Sequence, residues 1–101
     1  MNTIREMKKH IQTINFIKNL RILIESYYRK QGYKLFDNRL SYNKLGILIG
    51  RNKSYIKYKM SICRGDPSYF FSKKDLTLMK QSLKVNNCLT DEVIKLFKTY
   101  E

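Results

Sequence analysis

Apolar residues recur in steps of three and four from Ile4 through Met7, Ile11, Ile14, Ile17, Leu20 and Ile24 to Tyr27. That is the period of a helix with one buried face. Nothing between Thr3 and Gln31 breaks such a helix. Thr3 with Glu6 three places later predicts a capping box, and Gly32 stands where a helix ends in a left-handed residue. Phe16 and Leu23 widen the stripe, as expected for a helix wrapped by others. A helix of this length exceeds what a small bundle needs, so its first half is expected either to pack against a second copy or to break near Asn15. Residues 33–40 read as a connector whose apolar side chains plug the core. Ser41 is a good cap for a short helix over 42–49 that Gly50 closes, and Asn52 caps a second over 53–63, closed by Gly65. After a loop at Pro67, Ser72 with Asp75 predicts another capping box, opening a helix with Leu76, Met79 and Leu83 inward. Thr90 starts a last helix with Val93, Ile94 and Phe97 inward, and Asp91 and Glu92 in its first turn suit the helix dipole. No stretch reads as a strand. The chain is predicted to be one all-α domain over 1–101, a five-helix bundle. Its parts are a long N-terminal helix (3–31), a central unit (38–85) and a C-terminal helix (90–100).

Composition narrows the class. At 101 residues, with 43% apolar and 29% charged side chains, the chain supports a single modest core. The formal net charge is +13, and it is unevenly placed. Residues 1–38 hold eight Lys/Arg against three acids, residues 39–74 nine against one, and residues 75–101 four against four. A basic middle beside a neutral tail localises the positive field and predicts a polyanionic partner there. The chain has no Ala and no Trp but abundant Ile, Lys, Asn and Tyr. That bias resembles an AT-rich coding sequence, as in a phage, a virus or a low-GC bacterium.

Enzyme chemistry lacks its parts. His10 is the only histidine, the carboxylates form no facing pair, and no Gly-rich phosphate loop is present. Cys63 and Cys88 lie far apart with no CxxC, whereas a zinc site needs about four ligands. Both cysteines are predicted to be small buried apolar residues in a reducing compartment. No cofactor, metal or small-molecule ligand is expected. No apolar run approaches the ~20 residues of a membrane span, and the first residues lack a signal-peptide core. The expected location is the cytoplasm, that of the host cell if the protein is viral.

Residues 41–64 carry the most information. An apolar helix ends at a glycine, and a polar, basic helix follows. Two helices meeting at a sharp angle need a small residue at the crossing, a turn residue free to take positive φ, and an apolar anchor on the second helix. Gly46 can allow the close approach, Gly50 can make the turn, and Leu45, Ile49 and Ile56 can form the shared core.

In these residues the stretch resembles the phage-repressor (Cro/XRE-type) helix-turn-helix family. Ser41 stands at the family's capping position, Leu45 and Gly46 at its Leu-small pair, Gly50 at its turn glycine and Ile56 at its second-helix anchor. The resemblance covers roughly residues 38–85. Arg51 and Lys59 stand where the family has apolar residues. Either the second helix is rotated, or Met60 and Cys63 supply the anchoring that position 59 does not.

The resemblance implies a sequence-specific DNA-binding transcriptional regulator whose recognition helix, at about 53–63, enters the major groove of double-stranded DNA. Asn52, Lys53, Ser54, Tyr55, Lys57 and Tyr58 would then face bases, with Asn pairing to adenine and Lys reaching guanine acceptors. Tyr42 and Asn43 would grip a phosphate at the start of the first helix. Arg51, Arg64, Lys73 and Lys74 would contact the backbone, and affinity would depend strongly on salt. A homodimer through residues 4–14 of the N-terminal helix would match a palindromic operator. Tyr55 and Tyr58 could instead cover the core. Tyr69, Phe70 and Phe71 read as a core plug more than a stacking platform. Two other functions fit the charge: a basic bundle that binds nucleic acid without sequence preference, and a small protein-binding inhibitor that uses the N-terminal helix against an acidic partner.

Overall fold

In the computed structural model, which describes residues 4–35, 39–61 and 70–101, five helices account for nearly all regular structure. They are α1 (Ile4–Lys30), α2 (Tyr42–Leu48), α3 (Lys53–Lys59), α4 (Lys73–Val85) and α5 (Asp91–Tyr100). The fold is all-α, as the periodicity predicts, with no strand among the described residues. Thr3, Cys63, Gly65, Pro67 and Tyr69, for which roles were expected, lie outside the described residues.

Helix starts follow local chemistry. Ser41, Asn52, Ser72 and Thr90 each accept a backbone N–H of the first turn of α2, α3, α4 and α5. Ser72 and Asp75 complete a reciprocal capping box. Gly32, with φ +81°, lies just beyond α1, and Tyr33 N donates to Tyr28 O across the same turn at 3.0 Å. One end departs from expectation. α3 stops at Lys59 rather than running to Cys63, because Met60 leaves the helix and Ser61 Oγ donates to Tyr58 O at 2.9 Å. A serine that captures a free carbonyl favours termination.

The long helix is the spine. Ile17, Leu20 and Ile24 are buried as predicted, but toward the N-terminus the buried face passes through His10, Thr13 and Phe16. Ile4, Met7 and Ile11 are 75%, 42% and 49% exposed. The reason is phase. At 3.6 residues per turn, the two successive steps of three from Ile11 to Ile17 rotate the stripe by roughly 120°.

The buried side of this half meets α5. Phe16 contacts Phe97 edge-on, with centroids 5.0 Å apart, and Tyr100 at 4.9 Å. Thr13 Oγ1 donates to Lys9 O, so Tyr100 Oη donates to Thr13 at 2.7 Å and accepts the N–H of Phe71 at 3.0 Å. Buried Glu25 pins the connector at the other end. It accepts from Leu40 N at 2.8 Å while pairing with Arg21 and Arg29. Leu40, just ahead of α2, is thereby tied to the C-terminal part of α1, and His10 near the other end of α1 meets the Lys59 carbonyl at the end of α3.

Candidate nucleic-acid interface

The turn between α2 and α3 is built as its glycines require. Gly50 takes φ +76°, and a Cβ on Gly46 would lie 3.0 Å from the backbone carbon of Asn52 and 3.1 Å from the Arg51 and Asn52 carbonyl oxygens. Any side chain at 46 would therefore push α2 off the start of α3. Arg51 N donates to Gly46 O at 2.7 Å, closing the bend. Leu45, Ile49 and Ile56 are 0%, 3% and 2% exposed and form the shared core beneath it.

With Ile56 inward, the opposite side of α3 presents Ser54, Lys57 and Tyr58, all exposed, three and four residues apart. Exposed Asn43 lies on α2, and Ile47, 58% exposed, follows it one turn later. Within the run Leu45-Gly-Ile-Leu-Ile-Gly, Ile47 reads as one more core residue, and only the helix phase turns it outward.

Lys73 and Lys74 are exposed in the first turn of α4. Cations there oppose the helix dipole, so this position does not favour them on stability grounds. Arg51 ties that end of α4 to the turn, its guanidinium donating to Asp75 at 3.2 Å. The two lysines thus stand on the end of α4 that Arg51 anchors to the turn. The side chain of Lys53 and the whole of Arg64 lie outside the described residues.

Four expected contacts are altered. Tyr55 turns inward: its ring lies 6.2 Å from Phe71, with Arg51 4.8 Å and Lys59 5.3 Å from its centroid, and its hydroxyl is buried. Burial, then the Asp75 carboxylate, pushes that phenol up to about 12. Asn52 is committed first to the protein, its Oδ1 accepting the Tyr55 N–H at 2.8 Å as the cap of α3. Arg51, committed to Asp75 and the Tyr55 ring, is a brace for the turn. Tyr42 is half-buried with the Arg21 guanidinium 5.5 Å from its ring centroid, so it packs on α1 instead of projecting.

Lys59 resolves the second departure from the repressor-like pattern. Neither rotation of α3 nor substitution by Met60 is needed, because Lys59 itself points inward and is 6% exposed. Its ammonium donates to Phe70 O at 2.9 Å and lies against the Tyr55 and Phe71 rings. The alkyl stem fills the apolar anchor position while the head finds a carbonyl and two ring faces. Burial holds its ammonium below the ordinary lysine value, against the opposing pull of Asp75. Its backbone carbonyl meets buried His10 Nε2 at 3.2 Å, and since a carbonyl only accepts, Nε2 carries the hydrogen. Phe71 is buried in the core, as a core plug requires, whereas Phe70 is only half-buried and lines a surface cleft with Lys9 and Gln12 of α1.

No helix of the described residues is long and apolar enough to cross a membrane. The chain matches no family model, and neither the curated proteins nor the solved structures contain a significant match to it.

Proposed function

We propose that the protein is a sequence-specific DNA-binding transcriptional regulator of phage or viral type, in which α2 and α3 act as a helix-turn-helix that occupies an operator. One observation carries the reading. The Gly46–Gly50 bend locks Leu45, Ile49 and Ile56 inward and leaves Ser54, Lys57 and Tyr58 as one exposed polar, cationic face. The surrounding stretch is the most basic of the chain. In this reading Ser54, Lys57 and Tyr58 meet base edges, Ile47 can meet a thymine methyl, and Asn43, Lys73 and Lys74 meet phosphates. Pairing through Ile4, Met7 and Ile11, the exposed apolar strip of α1, would present two such faces to a palindrome.

Selection of bound sequences from a random duplex pool tests the reading, followed by affinity measurements on Ser54→Ala/Lys57→Ala. The expected result is an enriched motif, and about 1–3 kcal/mol lost on that motif by the double variant with its melting temperature unchanged. A pool without enrichment, or unchanged affinity in the variant, refutes it. Asn52→Ala is a poor probe, since removing the cap costs α3 about 1 kcal/mol by itself.

The inward turn of Tyr55 and the capping role of Asn52 favour a second reading, binding without sequence preference. A bundle of that kind would lose all duplexes equally as salt rises, whereas a specific reader keeps its preference.

A further inference from the structure

The far end of α1 holds a second feature, separate from the α2–α3 face. A cleft of about 390 Å³ opens between the end of α1, the start of the connector, α2 and the end of α4. Tyr27, Tyr28, Tyr33, Lys34, Lys44 and Asn86 line it, and none of its lining residues is acidic. Its size falls within the range of small-molecule sites, roughly 300–1,000 Å³. From His10, which sits beneath the end of α3, to Tyr28 the helix rises roughly 27 Å, so the cleft is remote from the proposed groove contacts.

The walls are organised by chemistry. Tyr28 is the fixed ring: Cys88, 1% exposed, gives its one thiol hydrogen to Asn86 O at 3.3 Å, so the Tyr28 phenol donates to Cys88 Sγ across 3.4 Å. Tyr33 stands edge-on to Tyr28 with centroids 5.4 Å apart and is 64% exposed, an unusually open position for a large ring. Tyr27 flanks Tyr28 at 6.2 Å. Asn86 uses its amide nitrogen on Leu48 O and Ser82 O, at 3.3 and 2.9 Å, which orients the side chain and leaves its oxygen as an acceptor. Lys34 and Lys44 are exposed and cationic at the rim. Aromatic faces select a flat π-system, an amide oxygen selects a ring or exocyclic N–H, and ammonium groups select an anion. Only a ligand that joins a flat heterocycle to an anionic group uses all three.

We propose that this cleft binds a nucleotide, with its base against Tyr33 and Tyr28 and its phosphate held by Lys34 and Lys44. The nucleotide is either free or one residue of a single strand, since both present the same base and phosphate. The site goes beyond the proposed operator contacts and does not depend on them.

The test is a titration of the full chain with adenosine 5′-monophosphate, adenosine, inorganic phosphate and a single-stranded oligodeoxyadenylate, followed by amide and aromatic NMR shifts. Saturable shifts at Tyr28, Tyr33 and Asn86 are expected with the mononucleotide if the ligand is free, or with the oligomer alone if it is a strand residue. Adenosine should bind more weakly and phosphate should leave the tyrosine signals in place. Tyr33→Ala removes an exposed ring without opening the core, and it should weaken binding by roughly tenfold, the scale of one lost base stack. Lys44→Ala should remove the advantage of the mononucleotide over adenosine. Absence of saturable shifts with both nucleotide probes, equal shifts with phosphate alone, or unchanged binding in Tyr33→Ala would each overturn the proposal. Ser54→Ala/Lys57→Ala should keep the cleft intact, so failure at one site is distinguishable from failure at the other.

Discussion

Tyr55→Phe is the sharpest probe of the corrected interface, because the two roles open to this tyrosine predict opposite outcomes. Its hydroxyl is buried and has no hydrogen-bond partner among the described residues. Leaving such a group unsatisfied costs about 1–3 kcal/mol, so deleting it should return most of that penalty. The oxygen also makes a handful of contacts at about 0.1–0.2 kcal/mol each, which are lost with it. The net expectation is a gain of roughly 0.5–2 kcal/mol. For a domain of this size about 4–8 °C accompanies each kcal/mol. Thermal unfolding followed by circular dichroism would register a rise of several degrees. A second signature comes from pH. The folded phenol titrates at about 12 against an ordinary value of 10.0. In alkali the unfolded chain therefore loses its proton first, and the wild-type protein loses stability as pH climbs through that interval. The Phe variant lacks this loss, so its advantage should widen there. Duplex affinity should stay unchanged, since the ring faces Phe71. A fall in melting temperature would mean that the hydroxyl has a partner. A fall in affinity with an intact fold would return Tyr55 to the nucleic-acid face.

Two further perturbations address the scaffold. Gly46→Ala should destabilise by about 1–3 kcal/mol, because the added methyl meets backbone carbon and oxygen atoms of the turn that cannot step aside; chemical denaturation measures it, and a neutral result would mean the bend is loose. Lys59→Met should keep the fold while abolishing one pH dependence: the unfolded chain holds its proton up to 10.5 and the folded lysine gives it up earlier, so wild-type stability rises relative to the variant as pH climbs from neutral toward 10.5. Parallel pH profiles for the two proteins would show that the ammonium is solvated.

What was legible in the chain was what short-range chemistry decides. The caps at Ser41, Asn52, Ser72 and Thr90 and the bends at Gly32 and Gly50 depend on a few neighbouring atoms, and all were readable. The inward or outward turn of particular side chains depends on partners distant in sequence. Lys59 looks like a surface cation until Phe70 O and two rings are placed around it. Tyr55 and Tyr58 are chemically alike and three residues apart; the phase set by buried Ile56 leaves Tyr58 outside, while Phe71, Arg51 and Lys59 surround the Tyr55 ring. Along α1 two apolar stripes compete, and α5 selects the one through Phe16.

A regulator built on this fold would draw its selectivity from few side chains. Once Tyr55, Tyr42 and the Asn52 carbonyl oxygen are committed to the protein, Ser54, Lys57 and Tyr58 are the described side chains on the outer face of α3. Good bidentate contacts contribute about 1–3 kcal/mol of discrimination each, and a serine or a lysine acting as a point charge contributes toward the lower end. One copy would then fall near the bottom of the roughly 4–10 kcal/mol that separates specific from non-specific binding. A second copy on the other half-site doubles the readout without any new contact type. The apolar strip that α5 leaves outside, Ile4, Met7 and Ile11, is therefore the part of the molecule on which sequence selectivity would depend most. Ile4→Ser/Ile11→Ser should reduce preference among duplexes more than it reduces overall affinity at low salt, because the phosphate contacts of each copy remain.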